Sequence, residues 1–448
     1  MDLHKVNRIY FIGIGGIGMS ALARYFKHLN KIVSGYDRTQ TELTDQLQAE
    51  GISIHFEDDV ELADKNADFV IYTPAIPKDH KEYNFYLSNN YPLFKRSKML
   101  GLLTENKFTI AVAGSHGKTT VSSMIAWILK HSGTDCSAFL GGISVNFNSN
   151  FVAGDNDIVV VEADEFDRSF LQLSPDITVI TAVDSDHLEI YGTQQELEKT
   201  FTVFANNLKS GGTLVAKPSL SILKNVRAKV WKYALSDASA DLFATSYFIT
   251  INGSDVKLNN GISYHLTYPG IHNIENSVAA VSVCMQLTIP HEKITAALEE
   301  FKGIHRRFEI MFRNNKTIFI DDYAHHPEEI RMFLSSVKKI YPERKVTAIF
   351  QPHLFTRTRD LKEGFAESLD IADEVILLPI YPARELPIEN VTTKIIYDLV
   401  KNTNKQLLTK EELVQLIQRE DFEVLCTIGA GDIDKLVKPI AEILRSKN

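Results

Sequence analysis

Residues 108–130 run FTIAVAGSHGKTTVSSMIAWILK. Phe108 to Ala113 is a short apolar run of β-forming character. Gly114-Ser115-His116-Gly117 interrupts it, after which Val121, Met124, Ile125, Ile128 and Leu129 fall on one helical face. Gly133 then supplies a stop signal. Strand, glycine turn and amphipathic helix in succession predict a parallel α/β sheet. The turn also carries chemistry. Backbone N–H groups of Gly114 to Thr120 can cradle phosphates, Lys118 can reach the β- and γ-phosphates of a nucleotide, and Thr119 is placed to ligate Mg²⁺. Val112 stands where the general GxxxxGK[ST] pattern has its first glycine.

Downstream of this loop two acidic clusters each follow a strand-like run. Glu162-Ala163-Asp164-Glu165-Phe166-Asp167 follows Ile158 to Val161, and Asp184-Ser185-Asp186-His187 follows a strand expected at Thr178 to Val183. Ligands of open α/β sheets bind at the carboxyl ends of the strands. Carboxylates and a histidine there, beside a phosphate loop, suit a divalent metal bridging phosphates, with Glu162 and His187 as candidate ligands. From 240 to 268 the pattern changes to alternation around Asn252-Gly253 and Asn260-Gly261, which predicts an antiparallel patch.

Upstream, Arg8 to Ile12 is a strand ending in Gly13-Ile14-Gly15-Gly16-Ile17-Gly18, followed by a helix from Ser20 to Leu29 and a strand from Lys31 to Ser34. The GxGxxG spacing lets backbone approach a diphosphate at a helix N-terminus, and Asp37, just past the second strand, can meet a ribose hydroxyl. Phe69 to Tyr72 is a further strand, leading into Thr73-Pro74. By itself the glycine motif does not separate NAD from another nucleotide diphosphate.

The last third returns to alternating strands and helices. Asp321-Asp322-Tyr323-Ala324-His325-His326-Pro327 follows a strand from Thr317, and Pro327 suits a helix start. Gln351-Pro352-His353-Leu354-Phe355-Thr356-Arg357 follows Val346 to Phe350, and Gly429-Ala430-Gly431-Asp432 follows Glu423 to Ile428. These three loops converge on one edge of the predicted sheet. A tyrosine, histidines and an arginine there suit a small carboxylate. The domain boundaries expected from these changes are 1–104, 105–304 and 305–448. The N- and C-terminal domains read as Rossmann-like, and the central one as a P-loop-type ATPase domain.

Composition bounds the remaining classes. The chain has 448 residues, 44% apolar and 23% charged, as globular proteins of more than one domain do. No apolar run is long enough to span a bilayer. The net charge of −9 argues against a nucleic-acid surface. Cys136, Cys284 and Cys426 are scattered, with no CxxC pair, which fits a reducing cytoplasm.

With the motifs assembled, the chain resembles the Mur ligases over essentially its whole length. The matching stretches, in family order, are GIGGIGMS, GSHGKTT, EADEFDRSFL, DSDHLEIYG, GIHNIENSVAA, HRRFE, DDYAHHPEEI, FQPH with TRTR, and GAGDI. GIGGIGMS and DDYAHHP together point to the branch that joins L-alanine to UDP-N-acetylmuramate. The resemblance implies peptidoglycan precursor synthesis, and through it cell shape and division. It implies ATP and Mg²⁺, with Mn²⁺ as a substitute. It also implies a first domain for the UDP-sugar at Gly13, Gly15, Gly16, Ile17, Gly18, Asp37 and Thr73. The second domain takes ATP at Gly114, Ser115, His116, Gly117, Lys118, Thr119 and Thr120, with Asn273, Asn276 and Arg306 toward the nucleotide. Thr119, Glu162 and His187 hold the metal. Tyr323, His325 and Arg357 receive the amino acid, and Lys118, Glu162, His187 and His325 form the catalytic set.

Two positions depart from the family pattern. Leu354 replaces an arginine common in this branch, which removes one expected contact to the amino acid. Thr202 occupies the position where several related ligases carry a carbamylated lysine, with Lys199 three residues short of it, so no carbamate is expected. Within the class, the rival activity is attachment of a preformed murein tripeptide to the same sugar nucleotide. From another class, a nicotinamide-dependent oxidoreductase explains GxGxxG and Asp37 but leaves GSHGKTT and both acidic clusters without a role. A nucleotide-binding sensor without ligation is the third alternative.

Overall fold

The computed structural model describes residues 5–184, 188–250, 252–383 and 385–447. Its strands form three sheets among these residues. The first is built from β1 (Arg8–Ile12), α1 (Ile17–His28), β2 (Ile32–Tyr36), α2 (Glu42–Ala49) and β3 (Ser53–His55), then β4 (Phe69–Tyr72), α3 (Lys81–Ser88), β5 (Leu93–Lys95) and α4 (Arg96–Thr104). Its order is β3-β2-β1-β4-β5, all parallel. The strand residues are apolar on both faces because helices cover both. Phe11, Leu22 and Phe26 pack on one side, and Tyr10, Ile12 and Tyr86 on the other.

The second sheet begins with β6 (Phe108–Ala113), α5 (Lys118–Ser132), the hairpin β7 (Ser137–Ser144) and β8 (Ser149–Val152), β9 (Ile158–Glu162) and β10 (Ile177–Ile180). After α6 (Leu188–Tyr191) and α7 (Gln194–Asn206) come β11 (Thr213–Ala216), β12 (Lys229–Ala234), β13 (Leu242–Thr250), β14 (Gly253–Leu258) and β15 (Ser263–Leu266), then α8 (Ile271–Gln286) and α9 (His291–Glu299). The order is β15-β14-β13-β12-β11-β10-β6-β9-β7-β8. Asn252-Gly253 and Asn260-Gly261 fall at the turns between the last three strands, where the alternating pattern predicted them.

The third sheet holds β16 (Glu309–Arg313), β17 (Ile318–Asp322), α10 (Pro327–Ile340), β18 (Val346–Phe350), α11 (Phe355–Asp360), α12 (Lys362–Leu369) and β19 (Glu374–Leu377). It is completed by α13 (Lys394–Tyr397), β20 (Lys405–Leu407), α14 (Lys410–Arg419), β21 (Val424–Ile428) and α15 (Asp434–Ser446). The order is β16-β17-β21-β18-β19-β20, parallel except for the edge strand β16.

Contacts divide the chain into two compact units. One comprises 1–246, 256–264 and 275–302, and the other 247–255, 265–274 and 303–448. The first sheet and most of the second share the first unit and one apolar core, in which Phe26 and Met99 join Phe139, Phe151 and Phe170. A separate core of Phe319, Ile349, Ile376, Leu425 and Ile440 supports the third sheet.

One expected strand is shorter than its apolar run suggested. Thr178 to Val183 leaves the sheet after Ile180. Thr181 and Ala182 turn their polar groups to the glycine loop instead: the Thr181 hydroxyl donates to His116 O, and Ala182 O accepts from Ser115 N at 3.0 Å.

Candidate functional site

The glycine loop between β6 and α5 takes its shape from two residues with positive φ, Gly114 at 133° and Gly117 at 81°. A Cβ at Gly114 would lie 2.2 Å from Thr181 Oγ1, and one at Gly117 would lie 2.6 Å from Asn276 Oδ1. Asn276, on α8, therefore sits against the loop. Ser115 Oγ accepts from Asp184 N at 2.8 Å, and His116 Nε2 lies 3.5 Å from the Asp184 carboxylate. Asp184, the first residue of the second acidic cluster, is thereby tied to the loop. His187, assigned to metal and catalysis, lies outside the described residues.

Lys118 opens α5 and points back across the loop. Its Nζ donates to Gly114 O and to Glu165 Oε1, both at 2.7 Å. Burial works against the ammonium, yet the Glu165, Glu162 and Asp164 carboxylates outweigh it and hold its pKa above the usual lysine range. The opposite holds at Glu162, at the end of β9: burial pushes its pKa up against the pull of Lys118, a hydrogen bond from Thr119 and the Gly141 N–H. That N–H donates to Oε2 at 2.8 Å. Thr119, in the first turn of α5, is thus in contact with Glu162 at the carboxyl end of β9. A hydroxyl and a buried carboxylate disfavoured in its charged form are an oxygen donor pair suited to a hard cation.

Around the first glycine motif, Gly13 has φ of 85°, and a Cβ there would meet Thr73 Cγ2 at 2.4 Å. Asp37 Oδ2 accepts from Gly15 N at 2.7 Å, so the acid expected near a ribose also braces the loop. Gly16 caps α1, and Ile17 is partly exposed. A Cβ at Gly18 would lie 2.5 Å from Arg96 Nη1.

In the second unit, the loops after β17, β18 and β21 converge as expected, because these strands are adjacent. Gly429 N donates to Asp322 O at 3.1 Å, and Gln351 N to Ile428 O at 3.0 Å. Tyr323, on the loop after β17, has two guanidinium groups near its ring, with the centroid 5.2 Å from Arg306 and 5.4 Å from Arg307. His325 Nδ1 lies 3.0 Å from Tyr323 O, and its ring packs on Tyr323 and His353. Burial lowers the pKa of His325 despite the Glu329 carboxylate, and Arg357 lowers it further. Tyr323, His325 and Arg357 therefore share one neighbourhood.

Arg306 and Phe308 adopt positive φ of 61° and 47°, marking HRRF as a strained segment. Arg306 Nε donates to Asp321 at 2.9 Å, and its Nη2 donates to Gly429 O at 2.7 Å. Asn273, on the part of α8 that belongs to this unit, is buried and donates to Pro269 O at 2.6 Å. Leu354, the substituted position, has φ of 70° and begins α11. Lys199 is exposed and 3.3 Å from Glu196.

The sequence reading missed Glu165 as the partner of Lys118, Arg96 against Gly18, and Arg307 beside Tyr323. Glu165 sits in a cluster already singled out. Arg96 stands alone in KRSKML, with no local pattern to flag it.

Residues 8–108 match the Mur ligase family catalytic domain, 112–284 the Mur ligase middle domain, and 306–431 the Mur ligase glutamate ligase domain. The UDP-N-acetylmuramate–L-alanine ligase of Flavobacterium johnsoniae is 44% identical, over 99% of both chains. That of Flavobacterium psychrophilum is 45% identical over the full length of both. Among solved structures, the UDP-N-acetylmuramate–alanine ligase of Thermotoga maritima superposes with a TM-score of 0.85 at 29% identity, covering 98% of this chain and 100% of that one. A murein peptide ligase of Psychrobacter arcticus shares the fold, with a TM-score of 0.72 at 22% identity over 98% of both chains.

Proposed function

The chain belongs to the Mur ligase family, and from that premise we infer that it is an ATP-dependent ligase adding L-alanine to UDP-N-acetylmuramate in peptidoglycan precursor synthesis. The first domain takes the sugar nucleotide on Gly13 to Gly18, the second takes ATP on Gly114 to Thr120, and the third takes L-alanine at Tyr323, His325 and Arg357. The domain boundaries proposed are 1–104, 105–304 and 305–448. Among the described residues no helix is long and apolar enough to cross a membrane, and we place the enzyme in the cytoplasm, where its substrates are made.

The observation that carries the reading is the glycine loop with Lys118 drawn into the acidic loop after β9. A carboxylate is a poor electrophile, so its oxygen is first phosphorylated. The lactyl carboxylate attacks the γ-phosphorus of ATP, the bond to ADP breaks, and an acyl phosphate forms. The neutral amine of L-alanine then attacks the acyl carbon, and phosphate departs with the C–O bond pair. Two anions must meet in the first step, and Lys118 offsets their charge while the loop amides hold the phosphates. Thr119 and Glu162, with His187 as the further ligand assigned, would hold a Mg²⁺ ion, which would supply additional charge neutralisation. Arg357 is placed to grip the alanine carboxylate through a guanidinium fork. His325, kept neutral near pH 7 by its burial, suits acceptance of the proton that the amine loses.

Phosphate release measured with UDP-N-acetylmuramate, ATP and Mg²⁺, adding L-alanine or the murein tripeptide, tests this reading. Release with L-alanine and not with the tripeptide is expected. Preference for the tripeptide assigns the recycling reaction, and nicotinamide absorbance changes without ATP use assign the oxidoreductase.

A further inference from the structure

Arg96 is the first residue of α4, immediately after the carboxyl end of β5, the side of a parallel sheet where ligands bind. It touches two loops of opposite purpose. On one side its guanidinium lies over Gly18: a Cβ there would be 2.5 Å from Nη1 and 3.1 Å from Cζ. Gly18 has no positive φ to explain the glycine. A side chain at Gly18 would have to displace the Arg96 guanidinium. On the other side Nη2 donates to Asp164 Oδ2 at 3.1 Å, in the acidic loop between Glu162 and Glu165. The neighbouring Lys95 approaches Asp167 at 3.5 Å, so two cations at the end of β5 face two anions of that loop. Both loops belong to the same compact unit.

We propose that Arg96 is a binding residue for the diphosphate of the sugar nucleotide, exchanging its bond to Asp164 for bonds to the diphosphate. Magnitudes favour the exchange. The Arg96–Asp164 pair is partly solvated, with side chains 20% and 40% exposed, and such pairs contribute little. A guanidinium on a diphosphate at a helix N-terminus makes charge-assisted bonds of greater strength. Release of Asp164 places a freed carboxylate beside Glu162 and Glu165, so filling the sugar-nucleotide loop changes the charge around Lys118. Sugar-nucleotide binding and the ATP loop are coupled in this way through one side chain.

The proposal rests on the ligase reading, and the test separates the two. Titration calorimetry is run with UDP-N-acetylmuramate and with UDP-N-acetylglucosamine, which has the diphosphate and no lactyl carboxylate, on wild type, Arg96→Ala, Arg96→Lys and Asp164→Asn. Arg96→Ala is expected to weaken both ligands by roughly ten- to a hundred-fold, and Arg96→Lys by less. Asp164→Asn frees the arginine and is expected to tighten both, by up to about five-fold. The opposite signs matter, because a merely structural tie gives losses in both variants. Loss in both, no change in Arg96→Ala, or a loss confined to UDP-N-acetylmuramate overturns the proposal. Absence of wild-type phosphate release with L-alanine instead overturns the ligase reading itself.

Discussion

Lys118 and Glu165 provide a perturbation whose effects on stability and on turnover are separable. The two side chains are 17% and 2% exposed and meet at 2.7 Å. Replacing Lys118 by Met leaves the Glu165 carboxylate buried without its cation. Breaking a buried pair from one side costs about 3–5 kcal/mol, whereas removing both charges is close to neutral. Lys118→Met is therefore expected to destabilise the first unit by about 3–5 kcal/mol. Adding Glu165→Gln should recover most of that loss. Turnover behaves differently: removing the charge that meets the phosphates should cut kcat at least about a hundred-fold, and the second substitution should not restore it. Affinity for the sugar nucleotide should change little. The assay is urea unfolding followed by tryptophan fluorescence. The two tryptophans, Trp127 on α5 and Trp231 on β12, both report on this unit. Midpoints convert to free energies through the slope of the transition. Equal stability of Lys118→Met and wild type, or no recovery in the double variant, would refute the pairing. Near-normal turnover in Lys118→Met would refute the phosphate role.

Three further outcomes are expected. Glu162→Ala removes one of the two oxygen donors in contact at the end of β9, so the Mg²⁺ concentration for half-maximal rate should rise; an unchanged Mg²⁺ dependence removes Glu162 from the metal site. Arg357→Lys loses the planar fork and should raise the KM for L-alanine by about ten- to a hundred-fold, with the KM values for ATP and UDP-N-acetylmuramate nearly constant; equal shifts in all three would assign Arg357 to another role. Burial pushes the Asp322 carboxyl up to about 6. The folded protein thus keeps a proton that the unfolded chain has lost, so the contribution to stability is present below about pH 4 and fades as pH rises through 6. Hydrogen exchange of β17 across pH 4–7 should show this slope, and Asp322→Asn should flatten it; a slope unchanged in the variant assigns it to another group.

Much of the fold could be read from runs of residues buried on both faces. Arg8–Ile12, Phe69–Tyr72, Phe108–Ala113 and Val346–Phe350 are strands at the residues the apolar pattern marked. Gly133 ends α5 in the left-handed conformation that its position suggested, and Pro327 begins α10. Errors arose where tertiary demand overrode pattern. Thr178 to Val183 is apolar enough for a longer strand, but Thr181 and Ala182 are recruited to shape the phosphate loop. Motif residues of the site were legible because backbone geometry dictates them locally. Partners such as Glu165 and Arg96 were not, because each acts on a residue 47 or more positions away, as Lys118–Glu165 does, and Arg307 was not, because no local pattern sets it over the Tyr323 ring. Asp37 shows the intermediate case: its place after β2 was readable, its bond to Gly15 N was not.

The central claim is that the sugar's carboxylate oxygen is transferred to the phosphate that leaves. UDP-N-acetylmuramate carrying ¹⁸O in both lactyl carboxylate oxygens, incubated with ATP, Mg²⁺ and L-alanine, tests it by mass spectrometry of the products. One ¹⁸O is expected in the released phosphate and one in the new amide carbonyl. Ligated product formed with no ¹⁸O in phosphate, or no ligation of L-alanine at all, would contradict it.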